Sequence, residues 1–302
     1  MQLFHLLFVF VNIKSIFSLI NFDLTHTIKS TNPIFPGLTP FNFTQTFTSW
    51  RQDDSNEYYF MALNTFITGE HFGTHIDAPY HGSNTSWTIT QIPFERLVSI
   101  QALIVDVSKK SSKVKNYQIK IEDLNENVMR QANGFYVLLF YTGKSKFWPN
   151  QDAYAGGHSR EELDFPGLSA QLASYLVDKY SEKLVGVGID TLSIDPGSSK
   201  HFSAHRILFK KNIYVLENVA ALNHVLKYLS NRRETFFIFD VLPMKIEDGT
   251  GAPCRLVARV ENFDDVSGGP FGFLIFCLLL AIIGIAAKVI YDFKFNMDKD
   301  FA

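Results

Sequence analysis

The chain has 302 residues, room for one large domain or two small ones, and its 28 basic and 30 acidic side chains form no basic stripe. This balance argues against nucleic acid as a partner. Phenylalanine fills 29 positions, which suits a bulky core and an aromatic-lined pocket, and only two cysteines are present, so no internal disulfide framework is expected.

In chain order, residues 1–18 form a short apolar stretch with Ser18 at a plausible cleavage site, which predicts a signal peptide although the basic leader is missing. Residues 19–266 contain no repeat or low-complexity linker, so they are expected to form one domain. Short apolar runs at 100–107, 135–141, 184–189, 213–216 and 236–241 predict buried strands. Leu172, Leu176, Val177 and Tyr180 recur at helical spacing behind Ser169, a suitable N-cap, and a second helix is expected over 219–229. Strands interleaved with helices predict a single mixed α/β domain. Between 143 and 167 the chain is punctuated by Gly, Asn, Asp and Pro, which reads as a surface excursion or pocket lid. Cys254 is expected to be a buried free thiol.

The apolar run at about 271–291 is just long enough to span a bilayer. Glu261, Asp264 and Asp265 precede it, and Lys288, Lys294 and Lys299 lie at its end and beyond, which predicts a single-pass anchor with the domain outside and a short tail, within 267–302, inside. A lipid-anchor signal at Ser267-Gly268-Gly269 is disfavoured, because a polar tail follows the apolar run. The sequons Asn42-Phe43-Thr44 and Asn84-Thr85-Ser86 agree with the secretory route and with glycosylation of Asn42 and Asn84.

The chemistry is concentrated in His71-Phe72-Gly73-Thr74-His75-Ile76-Asp77-Ala78-Pro79-Tyr80-His81. Its histidines and aspartate are ligands for a borderline divalent metal, or groups that move protons beside one. All four share one parity, so an extended backbone would turn them to one side, while Gly73 and Pro79 oppose a regular helix. A second cluster follows: Asp190, Ser193 and Asp195 within 188–196, then His205 and Glu217. Glu217 stands among apolar residues, where a carboxylate needs a cationic partner.

These residues carry a resemblance. The run from His71 to His81 matches the H-x-G-T-H-x-D-x-P-x-H signature of the cyclase-type metal-dependent hydrolases, a family that includes bacterial-type kynurenine formamidases and isatin hydrolases. Phe22-Asp23-Leu24-Thr25-His26, Phe35-Pro36-Gly37-Leu38-Thr39-Pro40, the segment 188–196, the His205 to Glu217 pair and Gly251-Ala252-Pro253-Cys254-Arg255 extend it across the domain. The resemblance implies a swivelling β/β/α-like fold, a homodimer, and two zinc ions, with manganese as the alternative. It implies that His71 and His75 bind one metal, His205 the other, and Asp77 and Glu217 both. His81 would be the catalytic proton carrier and Phe35 would meet the substrate, while Thr74, Asp190 and Ser193 are candidates to orient the ligands or simply to make turns. Leu38 departs from the acidic residue usual in its loop. The expected activity is hydrolysis of a small aromatic amide, foremost N-formyl-L-kynurenine to kynurenine and formate. A cyclic aromatic amide of the isatin type and a non-catalytic cell-surface binding protein are the alternatives.

Overall fold

The computed structural model describes residues 18–232, 234–262, 278 and 281–289. Residues 21–259 form one compact unit, and 1–20 with 260–302 form a second. The strands are β1 (Ser18–Asp23), β2 (Asn42–Gln52), β3 (Tyr58–Ile67), β4 (His75–Asp77), β5 (Ile100–Asp106) and β6 (Gln118–Ile119). They continue as β7 (Tyr136–Tyr141), β8 (Gly167–Leu168), β9 (Leu184–Ile189), β10 (Tyr214–Glu217), β11 (Phe237–Pro243) and β12 (Gly251–Asn262). The longer helices are α1 (Ala170–Tyr180), α2 (Ser203–Phe209) and α3 (Leu222–Arg232).

The apolar runs form strands because they are buried on both faces, most completely in β9, where every residue is inside. β5, β7, β9 and β10 pair in parallel in that order. β10 then pairs antiparallel with β4, β4 with β12, β12 with β11, and β11 with β5. The seven strands therefore close into a barrel, beside which β1 adds to β12. The single mixed α/β domain expected from the sequence is thus built around a closed barrel. The physical reason is β4, three residues long yet hydrogen-bonded along both edges, which joins the two ends of the sheet.

The Ser169 side chain accepts the Leu172 amide at 3.1 Å, so it caps α1 as expected. α1 buries Leu172, Ala173, Leu176 and Val177 in one cluster with Leu138, Phe140, Val187, Leu208 and Phe209. Each large apolar side chain so buried stabilises the fold by about 1.5–3 kcal/mol. α3 starts at Leu222 rather than 219, because Asn218 and Ala221 both hold left-handed backbone (φ 54° and 53°) that no helix accommodates. The excursion over 143–167 is more than surface loop: Tyr154, Ala155, Leu163 and Phe165 pack with Leu192 into a second buried cluster, against which Phe35 and Trp148 rest.

The expected membrane anchor is overturned. Among the described residues no helix is long and apolar enough to cross a membrane. Within the run, the described residues 278 and 281–289 are helical. The rest of the run at 271–291, Cys277 and the tail lie outside the described residues. The predicted signal peptide does too, apart from Ser18, which opens β1. The single-pass placement therefore falls with the anchor. Cys254 is buried and free, and burial pushes its thiol pKa up.

Candidate metal centre

The barrel closure assembles the site. In β4 His75 and Asp77 point to one side, with fully buried Ile76 on the other. The β10 register sets Glu217 directly opposite His75, and the β12 register sets Gly251 opposite Asp77. Only His75 and Asp77 thus follow the parity expected from the sequence. A left-handed turn at Gly73 (φ 67°) precedes β4, with His71 on its far side, and Pro79–His81 form a single 3-10 turn that carries His81. A Cβ on Gly251 would stand 2.6 Å from the His71 ring, so this strand position admits His71 only as glycine. His205 comes from α2, whose first amides, those of Ala204 and His205, donate to the Asp195 carboxylate at 3.0 and 3.1 Å.

These ligands converge in two groups that share Asp77: His71, His75 and Asp77, and Asp77, His205 and Glu217. Within each group the candidate donor atoms lie within 4.8 Å of one another. His71 Nδ1 is 2.6 Å and His75 Nε2 3.1 Å from Asp77 Oδ1, while His205 Nε2 lies 3.3 Å from Asp77 Oδ2 and 3.1 Å from Glu217 Oε1.

Hydrogen bonds behind each imidazole select the nitrogen turned to the centre. His75 Nδ1 donates to the Gly73 carbonyl at 2.9 Å, and His205 Nδ1 donates to Asp195 at 2.7 Å. Thr250 donates its hydroxyl to Glu70 at 2.5 Å, so its oxygen accepts from His71 Nε2 at 2.9 Å. Each arrangement leaves the opposite nitrogen facing Asp77 or Glu217, the orientation that metal-binding histidines adopt. His75 Nε2 is buried without a hydrogen-bond partner. An orphaned nitrogen facing two buried carboxylates is what a cation would satisfy, and the mixed nitrogen and oxygen set fits a borderline divalent ion.

The charges agree. Burial alone would disfavour an imidazolium at His75, but Asp77 and then Glu217 outweigh it and hold its pKa up to about 10. His205 is likewise raised well above its ordinary value despite burial, by Asp195, Asp77 and Glu217. Burial pushes Asp77 and Glu217 upward, yet the surrounding histidines hold both below the ordinary carboxylate value. Two buried carboxylates here demand positive charge, and protons on His75 and His205 answer that demand.

A cavity of about 510 Å³ opens over the centre. His71, Asp77, His205 and Glu217 line its floor, and Phe35, Phe202, Phe209 and Leu38 line its walls. His81 borders the cavity with its ring centroid 4.1 Å from that of His71. Burial lowers its pKa, with His71 and His205 adding to the effect and Asp77 opposing it.

The remaining expected residues divide. Ser193 lines the cavity. Thr74 lies behind the floor, where its hydroxyl donates to the Asn218 carbonyl at 2.7 Å and accepts the His26 amide at 2.9 Å, tying two loops together. Asp190 accepts five hydrogen bonds from Thr142, Gly143 and Ser145, and has none with a candidate ligand. Burial nonetheless raises its pKa, and its place is that of a clamp on the chain after β7. Asn42 and Asn84 are exposed. Sequence reasoning assigned no role to Asp195, Glu70, Thr250, Asn218, Arg160 or Phe202. Asp195 lies within the segment 188–196 and Glu70 adjoins the first motif, so both were findable there. Arg160 and Phe202 reach the cavity only through tertiary folding.

The family described as putative cyclase matches residues 22–196. A kynurenine formamidase from Bacillus cereus is 29% identical over 239 residues, covering 78% of this chain and 96% of that protein. Another, from a second strain of the same species, is 31% identical over 240 residues with the same coverage. Isatin hydrolase A from Labrenzia aggregata superposes with a TM-score of 0.67 at 22% identity, over 85% of this chain and all of that one. An isatin hydrolase bound to the product analogue thioisatinate gives 0.68, also at 22% identity. These two structural likenesses speak to the fold.

Proposed function

Because the chain belongs to the putative cyclase family, we propose that it is a metal-dependent amidohydrolase of the arylformamidase type, cleaving N-formyl-L-kynurenine to kynurenine and formate. The observation that carries the reading is the pair of converging donor groups that share Asp77 on the floor of a cavity. His71, His75 and Asp77 would hold one ion, and Asp77, His205 and Glu217 a second, zinc being the first choice and manganese the alternative. A divalent ion bound there polarises a carbonyl and makes water nucleophilic near neutral pH.

The protein's own groups supply the rest. Phe35, Phe202 and Phe209 offer flat apolar walls to an aryl ring, and their burial of it excludes water from the amide. His81 has its pKa below the ordinary imidazole value, so it is neutral at pH 7 and serves as general base. It takes a proton from the attacking water as the carbon–oxygen bond forms, and returns it to the aniline nitrogen as the carbon–nitrogen bond breaks. Asp195 and the Gly73 carbonyl keep His205 and His75 in the required tautomers throughout. The homodimer that the resemblance implies would use the β2–β3 hairpin, whose aromatic side chains stand in solvent.

The test is formate release from N-formyl-L-kynurenine by the zinc-loaded full chain. Turnover should stop on chelation and return when metal is restored. Turnover that persists in metal-free protein would sink the mechanism. Cleavage of isatin, with no cleavage of any formamide, would select the cyclic-amide reading.

A further inference from the structure

We propose that Arg160 is the receptor for a carboxylate on the substrate, so that the cavity selects an aryl amide that bears a carboxylate over one that does not. This rests on the hydrolase reading above and names the substrate class of the same site. Arg160 lines the cavity from the excursion over 143–167. Its guanidinium carbon stands 4.7 Å from the ring centre of Phe35 and 4.9 Å from that of Phe202. The two rings, 6.1 Å apart, come from different parts of the chain and share one cation. A long, entropically costly side chain is thereby held beside the aromatic walls where an aryl ring would sit.

No carboxylate among the described residues claims this cation. Among the described residues Arg160 makes no ion pair, and the acid nearest in sequence with an assigned task, Glu162, spends its Oε2 on the His158 and Ser159 amides at 3.0 and 2.9 Å. Those bonds fix the turn that presents Arg160. Among the described residues the only acidic ones lining the cavity are Asp77 and Glu217, both committed to histidines on the floor, whereas Arg206 and His201 add further basic groups to the wall. Phe35 and Phe202 can hold the guanidinium only through their ring faces, so its N–H donors are left for an acceptor from outside. A planar donor fork matches a carboxylate in two parallel hydrogen bonds, which an ammonium cannot do. A neutral ring such as isatin offers this cation nothing of opposite charge.

The test is equilibrium binding to the zinc-loaded full chain, with L-kynurenine and its carboxamide, which share the same α-amino group and aryl ring, as probes. The wild-type protein should bind the acid 10- to 100-fold more tightly than the amide. Arg160→Gln should bring the two within about twofold by weakening the acid alone, while Arg160→Lys should keep part of the preference. Arg206→Gln should leave most of it. An unchanged near-ultraviolet spectrum confirms that the variants are folded. Equal or absent binding of the two probes by wild type overturns the proposal, as does a preference that survives Arg160→Gln or depends instead on Arg206. Formamide turnover is scored separately. A carboxylate preference without turnover leaves Arg160's role standing and removes the hydrolase reading, and turnover without the preference does the reverse.

Discussion

At the candidate metal centre His75, Asp77, His205 and Glu217 are all at least nine-tenths buried, whereas the β2–β3 hairpin holds Trp50, Tyr58, Phe60 and Leu63 more than half exposed. The centre is a polar patch within an otherwise apolar interior, and the hairpin is an apolar patch on the surface. The buried cluster is tolerated because nearly every donor has an acceptor, and the one orphan, His75 Nε2, faces carboxylates. The hairpin is internally complete as well: Asn42 to Gln52 pair with Ile67 to Tyr58, interrupted by one bulge after Gln45. What it lacks is a cover. A cation would complete the first region and a partner surface the second.

Substitutions can separate the two regions. Glu217→Gln should have the largest effect, removing about 10³-fold of the hydrolytic rate and part of the bound metal, as read by formate assay and metal analysis. Full metal content with full activity would show that Glu217 is no ligand. Next, Trp50→Ser combined with Phe60→Ser removes an edge-to-face pair at 5.5 Å. It should convert a dimer into monomers on sedimentation, while folding stability moves by no more than about 1 kcal/mol because both rings are already wet. A variant that stays dimeric would clear the hairpin of this role. The smallest effect is expected at Asp123, remote from both regions. Burial raises its pKa, but Lys110, the Lys120 amide and the Tyr117 hydroxyl outweigh burial and hold it below the ordinary value. A depressed carboxylate stabilises the fold fully above its unfolded pKa of about 4, and that contribution is lost as pH falls through the folded value. Asp123→Asn should therefore lower stability by about 1 kcal/mol at pH 7 and flatten the acid limb of a melting-temperature profile, leaving activity unchanged. An acid limb as steep as in wild type would show that the carboxylate contributes nothing.

Much of the centre was legible in the sequence because His71, His75, Asp77 and His81 lie within one short run, and because Glu217 is a carboxylate set among apolar residues. The central strands were legible for a related reason, since burial on both faces leaves uninterrupted apolar runs. Closure of the barrel was not, because β4 is only three residues long and its hydrogen-bonding partners lie far along the chain. The hairpin escaped because both of its faces are exposed, so it lacks the alternation that marks a half-buried strand. Its Thr- and aromatic-rich runs flanking Asp53-Asp54-Ser55-Asn56 were the signal available. A lone arginine in a polar stretch, as Arg160 is, carries no mark of the two rings that will receive it. The family match ends at residue 196, so His205 and Glu217 depend most on the geometry for their place in the site.

The short strand that seals the barrel also sets when the protein can work. During synthesis His75 and Asp77 leave the ribosome long before Glu217, and longer still before Gly251 and Pro253, which complete the pairing of β4. Such distant contacts form only after the intervening loops have been closed, and closing them is slow. A nascent chain that ends before β12 cannot hold His71 against Gly251 and cannot fix β4 along its second edge. The centre is therefore a late product of folding, and chains released early carry its sequence signature without its chemistry.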